Sequence, residues 1–77
     1  MSTLKYVDSS NIAAIDYEDS IDRLRIYFHS GYAYEYFGVP AHIVQQFLKA
    51  PSVGRYFIKY IRDAYSYQKV NLQLPTK

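Results

Sequence analysis

The chain has no cysteine, which removes disulfide staples, thiolate metal sites and cysteine nucleophiles together. No run approaches the ~18 apolar residues that span a bilayer. The opening Met1-Ser2-Thr3-Leu4-Lys5-Tyr6 lacks the apolar stretch of a signal peptide. A soluble, cytoplasmic protein is the expectation. Glycine is scarce, and Gly31, Gly38 and Gly54 form no phosphate-cradling loop. Histidine occurs only as His29 and His42, and no HxxE, HxH or HExxH spacing accompanies them, so no metal site is expected. No serine sits in a nucleophile-elbow pattern, and the carboxylates of the 18–22 loop lack an apolar wall that would raise a pKa. These absences point to a domain that is not an enzyme and needs no cofactor.

What is abundant is tyrosine. Ten tyrosines and four phenylalanines occur among 77 residues, enough for one domain and no more. A domain of this size buries only about 60% of its unfolded surface. Aromatic rings, each removing roughly 150–250 Å² from water, let a thin core suffice. The hydrophobic fraction of 49% and charged fraction of 21% are globular values.

Charge is divided unevenly. Residues 1–22 set Lys5 against Asp8, Asp16, Glu18, Asp19 and Asp22, a net of −4, while residues 23–77 carry +6. The formal total is +2 with a sequence pI near 8.9. That is mildly basic, below the level of a dedicated nucleic-acid-binding domain, so what matters is whether the later cations share a face.

Ile12–Tyr17 reads as a strand with Ala13, Ile15 and Tyr17 on one face, and Arg23–Phe28 alternates strictly with Leu24, Ile26 and Phe28 inward. Tyr32–Phe37 is the third strand, joined to the second through Ser30-Gly31. Register decides which way the tyrosines face. A two-residue loop pairs Ile26 with Glu35 and places that carboxylate in the core. A three-residue loop, His29-Ser30-Gly31 with Gly31 left-handed, pairs Ile26 with Tyr34, Leu24 with Tyr36 and Arg25 with Glu35. Burying an unpaired carboxylate is costly, so the longer loop is expected. Tyr34 and Tyr36 then face the core as structural residues, and Arg25–Glu35 stands on the solvent face, with Tyr27, Ala33 and Phe37 exposed beside it.

Pro40 suits the first position of a helix over Ala41–Ala50, with Ile43, Val44, Phe47 and Leu48 on one face, and Pro51 stops it. Ser52 is a good N-cap for a second helix. There Val53, Phe57, Tyr60, Ile61 and Ala64 form an apolar stripe, and Gly54 suggests a close backbone approach. The domain core runs from about 9 to 67. The tail, 68–77, alternates weakly through Val70, Leu72 and Leu74, as either an added edge strand or a loose end.

One constellation carries chemistry. Arg55, Lys59 and Arg62 lie at i, i+4 and i+7, opposite the apolar stripe, with Tyr56, Tyr65 and Tyr67 among them. Cations for phosphates and flat rings for bases are what single-stranded nucleic acid requires. A solvated helix face, with Lys59 and Asp63 as an ordinary i, i+4 pair, accounts for the same residues.

Ser9-Ser10-Asn11-Ile12, Ile15, Tyr17, Tyr34-Glu35-Tyr36-Phe37, Val39-Pro40, Ala50-Pro51-Ser52, Gly54, Phe57, Ile61-Arg62 and Tyr65-Ser66-Tyr67 together resemble the KTSC domain. That family is named for its occurrence at the C-terminus of some lysyl-tRNA synthetases and is also found as a small stand-alone protein in bacteria and phages. The resemblance implies a small α+β domain, a suggested role in RNA binding, and Tyr34, Tyr36 and Arg62 as the motif positions to carry over.

The combined expectation is a three-stranded antiparallel meander followed by two helices packed on one face. Its expected partner is RNA or single-stranded nucleic acid, contacted by Arg55, Lys59, Arg62, Tyr65 and Tyr67. Two alternatives stand beside it. One is a protein-interaction or self-assembling module (a homo-oligomer) that uses the exposed sheet face and edges. The other is a binder of a small anionic ligand such as a nucleotide.

Overall fold

The computed structural model describes residues 2–71. Strands β1 (Ser2–Tyr6), β2 (Ile12–Glu18), β3 (Arg23–Phe28) and β4 (Ala33–Phe37) come first. Helix α1 (Ala41–Lys49) and helix α2 (Val53–Tyr56) come next. Helix α2 runs directly into a π-helical stretch, Phe57–Ile61, and strand β5 (Tyr67–Val70) comes last. The strands form one antiparallel sheet in the order β1-β2-β3-β4-β5, with consecutive strands side by side.

The sheet therefore has five strands rather than three, and the two additions are its edges. Both are hard to read from sequence because edge strands bury little: Leu4, Lys5 and Tyr6 of β1 are exposed, as are Tyr67, Gln68 and Lys69 of β5. Backbone pairing holds them, with little help from alternating burial. Of the two readings of the tail, its first residues follow the edge strand; Leu72 and Leu74 lie outside the described residues.

The β3–β4 register is the one that charge burial requires. Leu24 pairs with Tyr36, Arg25 with Glu35 and Ile26 with Tyr34. The Phe28 N–H donates to the Tyr32 carbonyl at 2.9 Å and the Gly31 N–H to the Phe28 carbonyl at 3.0 Å. Gly31 has φ +99°, a conformation that side chains disfavour. On β2 the register slips between Ile12 and Ala14, a β-bulge. The bulge corrects the expected alternation: Ile12 joins Ile15 and Tyr17 on the core side in place of Ala13.

Both helices cover one face of the sheet. Ile12, Ile15, Leu24, Ile26, Tyr36 and Val39 pack against Val44, Phe47, Val53, Phe57 and Ile61. Pro40 is the N-cap of α1, one residue earlier than expected, and Ala50 turns extended ahead of Pro51. Ser52 caps α2, its Oγ accepting the Arg55 N–H at 3.3 Å. The expected stripe on the second helix is cut short. Val53, Phe57 and Ile61 are buried, but Tyr60 and Ala64 are exposed, because the helix ends in its π turn.

The opposite face differs from its expected bareness. Tyr27 and Ala33 are buried there with Ala14, and Val70 packs against them, so only Phe37 of the expected trio is exposed. The neighbouring strands supply the cover: Ala14 from β2 on one side and Val70 from β5 on the other. Arg25 donates from Nε to Glu35 Oε2 at 2.9 Å, and Gln68 donates to Oε1 at 3.1 Å. Burial alone would raise the Glu35 pKa. The hydrogen bonds from Arg25 and Gln68 and the charges of Arg25 and Arg23 outweigh it and hold the carboxyl below its usual range.

Candidate nucleic-acid interface

The sequence-derived residues separate into three places. Arg55 and Arg62 border one groove on the helix side of the molecule. Arg55 lines a hollow of about 350 Å³ between α2 and the loop before β2. Arg62 lines an adjoining hollow of about 460 Å³, closed on its far side by the β3–β4 turn. Ser10, Asn11, Gly54 and Ile58 line both, so the two adjoin, and Asp8 also lines the first. Arg55 enters no ion pair among the described residues, and Arg62 Nη2 lies 3.6 Å from Asp63 Oδ2, both side chains being well exposed. An exposed pair of this kind is screened and easily exchanged.

Lys59 lines neither hollow. Its Nζ stands 5.2 Å from the centroid of the Tyr60 ring. The expected i, i+4, i+7 row presumes an uninterrupted α-helix. Instead the Arg62 N–H reaches back five residues to the Phe57 carbonyl at 2.9 Å, and this wider turn shifts Arg62 out of the row.

The tyrosines make the third place. Tyr67 is 56% exposed, and its ring centroid lies 5.6 Å from that of Tyr34 and 5.4 Å from that of Tyr36. Phe28 meets Tyr34 and Phe57 edge-on, and Phe57 meets Tyr36 the same way, so the rings form one cluster running to the groove wall. Tyr36 is buried, Tyr34 half-buried, and Tyr65 half-buried against the main core. Burial, reinforced by the neighbouring Tyr67 and Tyr34, pushes the Tyr36 hydroxyl up to about 12, against a smaller lowering by the Arg62 charge. The phenol stays neutral. Arg62 thus lines the groove together with Phe28 and Phe57, and its charge is felt at the buried Tyr36.

The residues that complete the groove do not stand out as a site in the sequence. They come from three distant stretches: Ser10 and Asn11, His29 and Ser30, and Gly54 and Ile58. The available signal is the motif run Ser9–Ile12 together with Gly54. What joins them is a set of hydrogen bonds. Ser9 Oγ accepts the N–H groups of Asn11 and Ile12 at 3.3 Å each. His29 Nε2 lies 2.9 Å from the Ser9 carbonyl oxygen, and the His29 N–H donates to the Asn11 carbonyl at 2.9 Å. No cluster of three or more metal-ligating side chains occurs among the described residues, and no helix among them is long and apolar enough to cross a membrane.

An antiparallel sheet covered on one face by two helices defines a small α+β domain. The chain belongs to the KTSC domain family, whose model matches residues 8–65. The crystal structure of a KTSC domain protein from Yersinia pestis superposes with a TM-score of 0.87 at 33% identity, covering 91% of this chain and 99% of that one. The lysine–tRNA ligase of Nostoc sp. is 38% identical over 64 residues, which are 83% of this chain and 11% of the ligase. An uncharacterized protein of Stutzerimonas stutzeri is 37% identical over 51 residues, 66% of this chain and 72% of that protein. This chain therefore spans about a tenth of the length of the ligases it matches.

Proposed function

We propose that this domain is a non-catalytic module that binds RNA or single-stranded nucleic acid along the groove beside α2. The observation that carries the reading is that Arg55 and Arg62 open onto adjoining hollows of one groove while neither is committed to a buried carboxylate. Arg55 and Arg62 would take phosphates, and the exposed Tyr67 ring, backed by Tyr34 and Tyr36, would offer a stacking surface. Lys59 adds to the local field from outside the groove. Tyr65 serves mainly as a core support for the Arg62 segment, since its ring packs on the core. The occurrence of related sequence within a lysine–tRNA ligase supports the same reading.

With so few cations, binding should be weak at physiological salt and strong only at low salt. The test is fluorescence anisotropy with a labelled single-stranded ribo-oligonucleotide at low ionic strength. Wild type should saturate, and joint replacement Arg55→Glu, Lys59→Glu and Arg62→Glu should weaken binding by about 100-fold or more while the circular dichroism spectrum stays native. A wild-type protein that leaves the oligonucleotide free under those conditions overturns the reading.

A further inference from the structure

We propose that the larger hollow, between the loop before β2, the β3–β4 turn and α2, is a pocket for a single nucleotide. Its phosphate would lie on Arg62, and its base and ribose would lie between Asn11 and Ile58. The assignment rests on the nucleic-acid reading for the class of ligand, but it names a site and a unit of recognition that the reading does not.

Five observations carry it. The hollow is about 460 Å³, within the range of small-ligand sites. Its lining includes an arginine and no aspartate or glutamate; the opposing charges are Asp63, exposed beside Arg62, and Asp8 in the adjoining hollow. Around that charge stand the groups a base or ribose would use. Asn11 can both donate and accept, Ser10 and Ser30 bring hydroxyls, and Ile58, 48% exposed, offers an apolar flank. The walls are also set in advance. The Ser9 carbonyl can only accept, so His29 Nε2 carries the proton toward it, and this bond with the two to Ser9 Oγ fixes loop and turn together. Prior fixing of this kind lowers the entropy lost on binding.

Gly54 is the fifth observation and the most telling. It sits in the first turn of α2 without the positive φ that would demand glycine. A Cβ there would meet Ser9 Oγ at 3.5 Å, an ordinary contact, with no other neighbour within 4 Å. Neither backbone nor packing requires glycine at a helical position where alanine is favoured. What the missing side chain does is leave open the floor shared by both hollows.

The experiment is an amide-resolved NMR titration of the full chain at low salt. The probes are adenosine, cytidine, guanosine and uridine 5′-monophosphates, the matching nucleosides, inorganic phosphate and a short ribo-oligonucleotide. At least one monophosphate should shift the Asn11, Ser30, Gly54 and Ile58 amides with a saturating millimolar Kd, and its nucleoside should bind about tenfold more weakly. Arg62→Gln should bring the monophosphate down to the nucleoside's level. Gly54→Ala should melt a few degrees higher than wild type yet bind the monophosphate about fivefold or more weakly. A stabilised Gly54→Ala protein with undiminished binding overturns the pocket. So do monophosphates that shift no groove amide while the oligonucleotide still binds, an outcome that leaves the nucleic-acid reading standing. Shared shifts from oligonucleotide and monophosphate identify the ligand as one unit of an RNA chain. Shifts from the monophosphate alone identify it as a free nucleotide and end the nucleic-acid reading.

Discussion

Two pairs of arginines stand on opposite sides of this molecule, and their circumstances differ in kind. Arg23 and Arg25 lie on β3 at the sheet face that no helix covers. There Arg25 is bonded to Glu35 and lies 3.7 Å from Asp16, and Arg23 Nε lies 3.8 Å from Glu35. Their side chains are 25% and 16% exposed, and that of Glu35 is 8%. Arg55 and Arg62 lie on the helix side, exposed, at the rim of a groove. All four count equally in the +6 of residues 23–77. The structure divides them into two whose charge is answered from within the fold and two whose charge is available to a partner. A linear charge count cannot make that division, because the answering carboxylates, Asp16 and Glu35, sit on neighbouring strands.

The sharpest way to break the contrast is to remove the internal answer. Glu35→Ala would leave Arg25 partly buried without its carboxylate. Removing one partner of a fully buried pair costs 3–5 kcal/mol, and this pair still touches water, so a loss of about 2 kcal/mol is expected. Urea denaturation would read it as a lower midpoint with little change in slope. The freed arginines should leave oligonucleotide binding on the other face unchanged. A Glu35→Ala protein as stable as wild type would show that the outer network is ornamental, and the two arginine pairs would then be alike.

How far this organisation can be read from the residues depends on what each feature rests on. The β3–β4 register is legible because two local rules agree: Gly31 suits a left-handed turn position, and Glu35 opposite Ile26 would be an unpaired core carboxylate. The helices are legible from the spacing of Val44, Phe47, Val53 and Phe57. Strand β1 is not, and β5 is legible only as one of two readings of the tail, since Leu4, Tyr6 and Tyr67 are exposed and an edge strand shows little alternation. The π turn at Phe57–Ile61 leaves no mark in a pattern read at 3.6 residues per turn, so Arg55, Lys59 and Arg62 read as a straight row where the backbone bends it. The groove is half legible. Arg55, Arg62 and Gly54 stand out, but Asn11, His29 and Ser30 reach it only through pairing between segments far apart in the chain.

A second comparison exchanges the arginine pairs in the binding assay. The slope of log affinity against log salt should fall by about 0.7 for each phosphate of a single strand that the protein no longer neutralises. Joint replacement of Arg55 and Arg62 by glutamine should therefore flatten it by about 1.4. Replacing Arg23 and Arg25 by glutamine should leave the slope where it is, in whatever fraction remains folded. Equal effects from the two pairs would mean that the outer face, not the groove, meets the nucleic acid.

The smallest effect expected is in acid, and its sign is set by Glu35. Its carboxyl is held below the ordinary value of 4.5 in the folded state, burial being outweighed by Arg25 and Gln68, so the native state binds the proton less readily than the unfolded chain. The stabilisation is complete above the ordinary carboxylate range. It shrinks as pH falls and is gone once pH has passed below the folded pKa. The loss should be smaller than that of Glu35→Ala, because a protonated carboxyl still fills its place and can still accept from Gln68. Denaturation midpoints taken from neutral pH downward should show wild type falling more steeply than Glu35→Gln, which has no charge to lose there. In the groove, by contrast, the larger hollow is lined by no carboxylate and Asp8 lines the adjoining one. Parallel acid limbs in wild type and Glu35→Gln would assign the acid sensitivity to the carboxylates of residues 8–22 instead, and would mean that burial of Glu35 and its partners cancel.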